Sequence, residues 1–278
     1  MRIRLGFEIA FDCPLPTPML LMLNVHPSRM QDLVVPDLLR SDPAVPLSTY
    51  IDGFGNRVAR TVLPAGRTRL FSDALIEDSG APDEAAPYAA LHAVEDLPPE
   101  TLVYLLGSRY CETDRLSDFA WAQFGHLPAD WSRVQAIVEY VHNHIEFGYR
   151  HARSTRTALE AFEERRGVCR DFAHLAITLC RAMNIPARYV NGYLGDIGIP
   201  RDPAPMDFSA WFEAYIGGRW YTFDARHNKR RIGRVVIARG RDATDVPLTH
   251  AFGAAQLVGF KVITEEEPDK PAAHARAA

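Results

Sequence analysis

The chain has 278 residues, 47% hydrophobic and 24% charged, with a formal net charge of -4. That is ordinary for a soluble globular protein and long enough for two modest domains. The mild charge excludes a general nucleic-acid or anionic-membrane binder, because both partners demand a concentrated basic surface.

Residues 1–11 alternate, with Ile3, Leu5, Phe7, Ile9 and Phe11 on one side, which predicts a strand with one buried face. The segment lacks the continuous apolar core of a signal peptide, and the apolar run 19–23 is too short to span a bilayer. A cytoplasmic location is therefore expected. The run 19–25 between prolines, the stretch 58–62 after a turn-rich segment at 52–56, and 69–76 also read as strands. Together they predict a small β-sandwich domain over residues 1–100, its last twenty or so residues a linker rich in Ala, Pro and acidic side chains.

The period then changes. Asp130 is placed to cap a helix whose apolar stripe is Trp131, Val134, Ile137, Val138, Val141 and Ile145. Thr157 and Glu160 have capping-box spacing, and Gly167 marks an expected helix stop. A further helix opens near Cys169, carries Phe172, Leu175, Ala176, Leu179, Cys180 and Met183 on one stripe, and ends before Pro186. Strands are expected over 187–194, 209–216, 219–224, 234–238 and 256–263. The polar, alanine-rich stretch 265–278 is expected to be disordered.

The four cysteines, Cys13, Cys111, Cys169 and Cys180, are widely spaced, with no C-x-x-C and no secreted framework, so free thiols are expected. Cys169 stands out because it opens a helix. There its sulfur lies near unpaired N–H groups and a partial positive charge, with Arg165, Arg166 and Arg170 close in sequence. Two readings remain at this point, a reactive thiol and a small buried apolar residue. Gly217-Gly218 predicts a two-residue hairpin turn, which sets Ile216 opposite Arg219 and Trp211 opposite Asp224. Ser209 and Asp224 then become diagonal neighbours on one face, roughly 7–8 Å apart at the backbone. A histidine at position 209 would be in reach of an orienting aspartate at 224, as a nucleophile–base–orienter triad requires.

The blocks Gly167-Val168-Cys169-Arg170-Asp171-Phe172-Ala173-His174-Leu175, Asn184-Ile185-Pro186-Ala187-Arg188-Tyr189-Val190-Asn191-Gly192-Tyr193, Ala210-Trp211-Phe212-Glu213-Ala214-Tyr215 and Trp220-Tyr221-Thr222-Phe223-Asp224 resemble, in this order, the bacterial transglutaminase-like superfamily. The resemblance runs from about residue 131 to 224. It implies an α+β, papain-like core, in which a nucleophile helix packs on an antiparallel sheet, within a domain taken as 101–264. By motif position it implies Cys169 as nucleophile and Asp224 as orienter. The family's His-Ala-Trp is replaced here by Ser209-Ala210-Trp211. A serine hydroxyl is no base near neutral pH, so activity on protein or peptide amides is expected to be impaired or lost. The alternative is a non-catalytic peptide- or protein-binding module, and an engineered inactivation would leave the same sequence. No cofactor is implied.

Three other histidines could stand in for the missing imidazole. His227, three residues past Asp224, is expected to leave the triad face unless the strand ends or bulges there, and His174 lies about 140° around the helix from Cys169. Both read as ordinary surface or hydrogen-bonded histidines, and His250 is remote. His142 and His144 lie about 200° apart on one helix, so with His151 they read as solvated and not as a metal site. Asp171 reads as a helix N-terminal charge, and Trp211, Tyr215 and Trp220 as core. Lys229-Arg230-Arg231 reads as a solvated loop.

Overall fold

The computed structural model describes residues 1–268. The expectation for 269–278 lies outside the described residues. In the strand Arg2–Cys13 the alternating apolar side chains Ile3, Leu5, Phe7, Ile9 and Phe11 are all buried. This strand is antiparallel to both Gly66–Glu77 and Gln256–Glu267, and Leu33–Val35 and Arg40–Asp42 extend the sheet along Gly66–Glu77. A second antiparallel sheet runs in the order Thr249–Ala251, Thr17–Leu21, Arg57–Leu63, Ser48–Ile51. Apolar side chains from both sheets join the same core as the helices.

Sheet membership cuts across the sequence-based division at residue 100. Strands 249–251 and 256–267 return from the C-terminal side to pair with N-terminal strands. The expected disorder from residue 265 is corrected for Glu265, Glu266 and Glu267, which lie opposite Arg4, Ile3 and Arg2 in a continuous ladder. Basic residues on the facing strand compensate the acidic run that looked like a tail.

The second part begins with a helix the periodicity did not announce, Thr113–Phe124, which buries Leu116, Ala120 and Phe124. In Trp131–His144 the Asp130 carboxylate accepts the Ser132 N–H as cap. Ala158–Glu164 carries the reciprocal Thr157/Glu160 capping box. This helix ends at Arg165 in the left-handed conformation, two residues before the expected Gly167. Gly167 instead pairs in parallel with Phe147. Its lack of a side chain serves close approach, since a Cβ there would meet the Asp171 Cβ at 2.6 Å.

The helix Cys169–Ala182 packs its buried stripe on a four-stranded antiparallel sheet ordered Arg219–Phe223, Ser209–Ile216, Ala187–Leu194, Arg234–Gly240. The hairpin register pairs Ile216 with Arg219 and Phe212 with Phe223. Gly217 and Gly218 both take positive φ, as a primed two-residue turn needs. Gly192 pairs with Ser209 at a register shift against Arg234–Gly240. A Cβ at 192 would lie 2.2 Å from the Val235 carbonyl oxygen and 2.8 Å from the Trp211 ring. Gly192→Ala is therefore expected to cost about 1–3 kcal/mol by overpacking. Urea unfolding measures it, and an unchanged midpoint would show that the strand can shift freely.

Candidate active site

Cys169 is the first residue of its helix and keeps part of its surface exposed. Asp171 fixes this helix start. Its carboxylate accepts the Val168 N–H at 2.9 Å and is paired with Arg156 at 3.1 Å, completely out of solvent. Burial pushes the Cys169 thiol up to about 11, against the pull of the Arg226 guanidinium and the Ala210 amide, while Asp207 and Asp224 push it further up. The three arginines near Cys169 in sequence are engaged elsewhere. Arg166 approaches Glu164, Arg170 donates to the Arg153 and Ser154 carbonyls, and Arg165 is the exposed cap of the preceding helix. The cation near the sulfur is Arg226, which the sequence reading missed, because only the turn after Asp224 brings it there.

The expected consequence is slow alkylation at neutral pH. With iodoacetamide the Cys169 rate should rise about tenfold per pH unit well past pH 8, since the thiolate is the nucleophile. Mass spectrometry of the modified peptide reads this rate, and a plateau below pH 8 contradicts it. Cys13, Cys111 and Cys180 are buried and should react more slowly at every pH.

Asp224 follows the last residue of its strand and is buried. Its Oδ1 accepts the His227 backbone N–H at 3.0 Å, while Oδ2 receives His227 Nδ1 at 2.8 Å and Arg234 Nη2 at 2.8 Å. Burial opposes ionisation, but the Arg234 charge and the hydrogen bonds from His227 and Arg234 outweigh it and hold the carboxyl well below its usual range. The condition under which His227 stays on the triad face is met here. The strand stops at Phe223, and Asn228 N–H bonds back to the Asp224 carbonyl, so the chain turns and strand parity no longer applies. His142 reinforces the turn through Nδ1 contacts of 3.1 and 3.0 Å to the Ala225 and Arg226 carbonyls, where a solvated side chain was expected.

Ser209 opens its strand, is 6% exposed, and its Oγ has no hydrogen-bond partner. It lines a cleft of about 250 Å³ with Tyr149, Asp207, Arg226 and His227 among the other walls. Tyr149, Asp207 and Arg226 all interact electrostatically with the Cys169 sulfur, so the thiol and this cleft are neighbours. The structure thus brings Cys169, Ser209 and Asp224 into one region. Asp224 orients His227, whereas Ser209 makes no bond to it.

The remaining candidates lie elsewhere. His174 is fully buried, stacks between Tyr110 and Tyr189, and accepts the Ala243 N–H at 3.1 Å, so burial drives its ring to the neutral form. His144 Nε2 lies 2.7 Å from the Phe162 carbonyl, and His250 pairs with Leu20 in the N-terminal part. Trp211 is buried beneath the Arg234 guanidinium, and Tyr215 packs edge-on against Trp220. The solvated-loop reading of 229–231 is corrected for Arg231, which is buried and donates to the Gly195 carbonyl at 2.8 Å. Among the described residues, no three His, Cys, Asp or Glu side chains are grouped to hold a metal ion.

A cysteine at a helix start, its helix packed on an antiparallel sheet whose strand end presents an ionised aspartate, makes this an α+β chain with a thiol and a carboxylate in one region. The comparisons with known proteins identify which kind. The family model for the transglutaminase-like superfamily matches residues 119–225, a span that contains Cys169, Ser209 and Asp224. The crystal structure of a "putative cysteine protease" from Cytophaga hutchinsonii aligns over 98% of this chain and 93% of its own, with a TM-score of 0.81 and 31% identity. The chain belongs to the transglutaminase-like superfamily. An uncharacterized Mycobacterium leprae protein is 34% identical over 117 residues, 39% of this chain and 40% of its own length. An uncharacterized Mycobacterium bovis protein is 29% identical over 238 residues, 75% of this chain and 73% of its own.

Proposed function

We propose that this chain is a cysteine acyl-transfer protein acting on protein or peptide amides, by hydrolysis or transamidation, with turnover held down because Ser209 occupies the base position. The supporting observation is the meeting of a helix-opening thiol, an ionised buried carboxylate and a cleft wall whose buried hydroxyl has no partner. In this reading Cys169 attacks the amide carbonyl, the amine leaves, and water or a second amine releases the acyl group. An imidazole at 209 would take the thiol proton and return it to the leaving amine. Serine can do neither.

The test is restoration. Ser209→His should gain hydrolysis of simple amides, and Cys169→Ala in that background should lose it. A non-catalytic peptide-binding module is the second reading, favoured by the thiol's raised value and by the partnerless hydroxyl. It prevails if the histidine form is inert and Cys169 resists alkylation. A cytoplasmic location is proposed on the cysteines, which are all unpaired. No helix of the described residues is long and apolar enough to cross a membrane.

A further inference from the structure

We propose that His227 is the acid–base group of this site in the Ser209 chain, oriented by Asp224, an assignment that rests on the acyl-transfer reading above. The His227 ring is tied to Asp224 through Nδ1 at 2.8 Å, and its own backbone N–H holds the other carboxylate oxygen at 3.0 Å. A neutral ring that donates from Nδ1 leaves Nε2 as a proton acceptor. Carboxylate-bound imidazole is the arrangement that keeps a catalytic histidine in one tautomer and stabilises its protonated form.

Two further observations put the ring beside the cleft and hold it there. His227 lines the same cleft as Ser209, and the walls Tyr149, Asp207 and Arg226 lie within electrostatic reach of the Cys169 sulfur. The turn that carries His227 is pinned from the helix side by His142, through the Ala225 and Arg226 carbonyls, and by Gln135, which donates to Asn228 at 3.0 Å. With an acyl ester, Cys169 Sγ bonds to the acyl carbon as its proton passes to His227 Nε2. The bond from that carbon to the leaving oxygen breaks as His227 Nε2 passes the proton to that oxygen and the alcohol departs; water later hydrolyses the thioester, its hydroxyl going to the acyl carbon and its other hydrogen restoring the thiol.

The experiment uses the full chain with Ser209 retained and a nitrophenyl ester of an acylated peptide. Nitrophenolate release and the mass of acylated Cys169 are followed together. His227→Gln should slow acylation by about 10²-fold, within the usual range for acid–base help. His227→Ala should slow it similarly and recover in part with added imidazole, which a purely structural loss would not do. In a Ser209→His background His227→Gln should lose most of its effect, because the 209 ring takes the proton. Parental rates in both single variants overturn the assignment. So does a fall in His227→Ala that imidazole leaves untouched while the melting temperature drops. If Cys169→Ala also releases nitrophenolate at the parental rate, the acyl-transfer reading itself fails. If Cys169 is required and His227 is not, only the present assignment fails.

Discussion

Ser209→His is expected to raise thiol-dependent amide hydrolysis, by roughly 10²–10⁴-fold where His227→Gln has removed the existing ring and by less where His227 is retained, since a positioned acid–base group contributes about that much. Position 209 starts the strand whose next residue, Ala210, presents its amide to the Cys169 sulfur. An imidazole there would adjoin the thiol, and in its protonated form would lower the thiol's raised value by direct charge attraction. The gain should be larger for amides than for activated esters, since only amides need a proton delivered to the leaving group. Hydrolysis of a peptide anilide, with and without Cys169→Ala, measures the effect. A histidine variant that folds, alkylates at Cys169 and still shows no turnover would mean that more than the base is missing.

Arg234→Ala is expected to cost about 3–5 kcal/mol at neutral pH, the range for breaking a buried ion pair by removing one partner. Arg234 bonds both Asp224 and Asp83 at 2.8 Å and lies over the Trp211 ring. Its side chain is 5% exposed and that of Asp224 2% exposed, so removing the guanidinium strands a charge with little water to replace it. The pH dependence follows from the sign of the Asp224 shift. A carboxyl held below its unfolded value of about 3.9 contributes stability that is present above that value and is lost as pH falls through its depressed folded value. Without Arg234 the folded value rises, so the difference between the two proteins should be greatest near neutrality and shrink in acid. Urea unfolding at pH 7 and below pH 4 tests this. A loss under about 1 kcal/mol at pH 7 would show that water or His227 compensates the carboxylate.

Much of the scaffold was legible because it follows from local periodicity. Alternation at Ile3 to Phe11, the caps Asp130 and Thr157, the apolar stripe behind Cys169 and the Gly217-Gly218 turn each report on neighbouring residues, and each acts over a few bonds. The helix Thr113–Phe124 was not announced, since Leu116, Ala120 and Phe124 make only a narrow apolar stripe among polar residues. Strand 256–267 was readable as a strand, yet its partner, Arg2–Cys13, lies at the opposite end of the chain.

By itself the sequence determined the kind of protein, an α+β chain with a thiol at a helix start, a carboxylate at a strand end and a serine where the resembling family keeps histidine. Tertiary structure alone decided which groups surround that thiol. The turn after Phe223 ends the strand's alternation, swings His227 onto Asp224 and brings Arg226 to the sulfur, while the nearer arginines of the sequence point away. Electrostatics depends on distance in space and on burial. Sequence separation fixes neither once the chain turns.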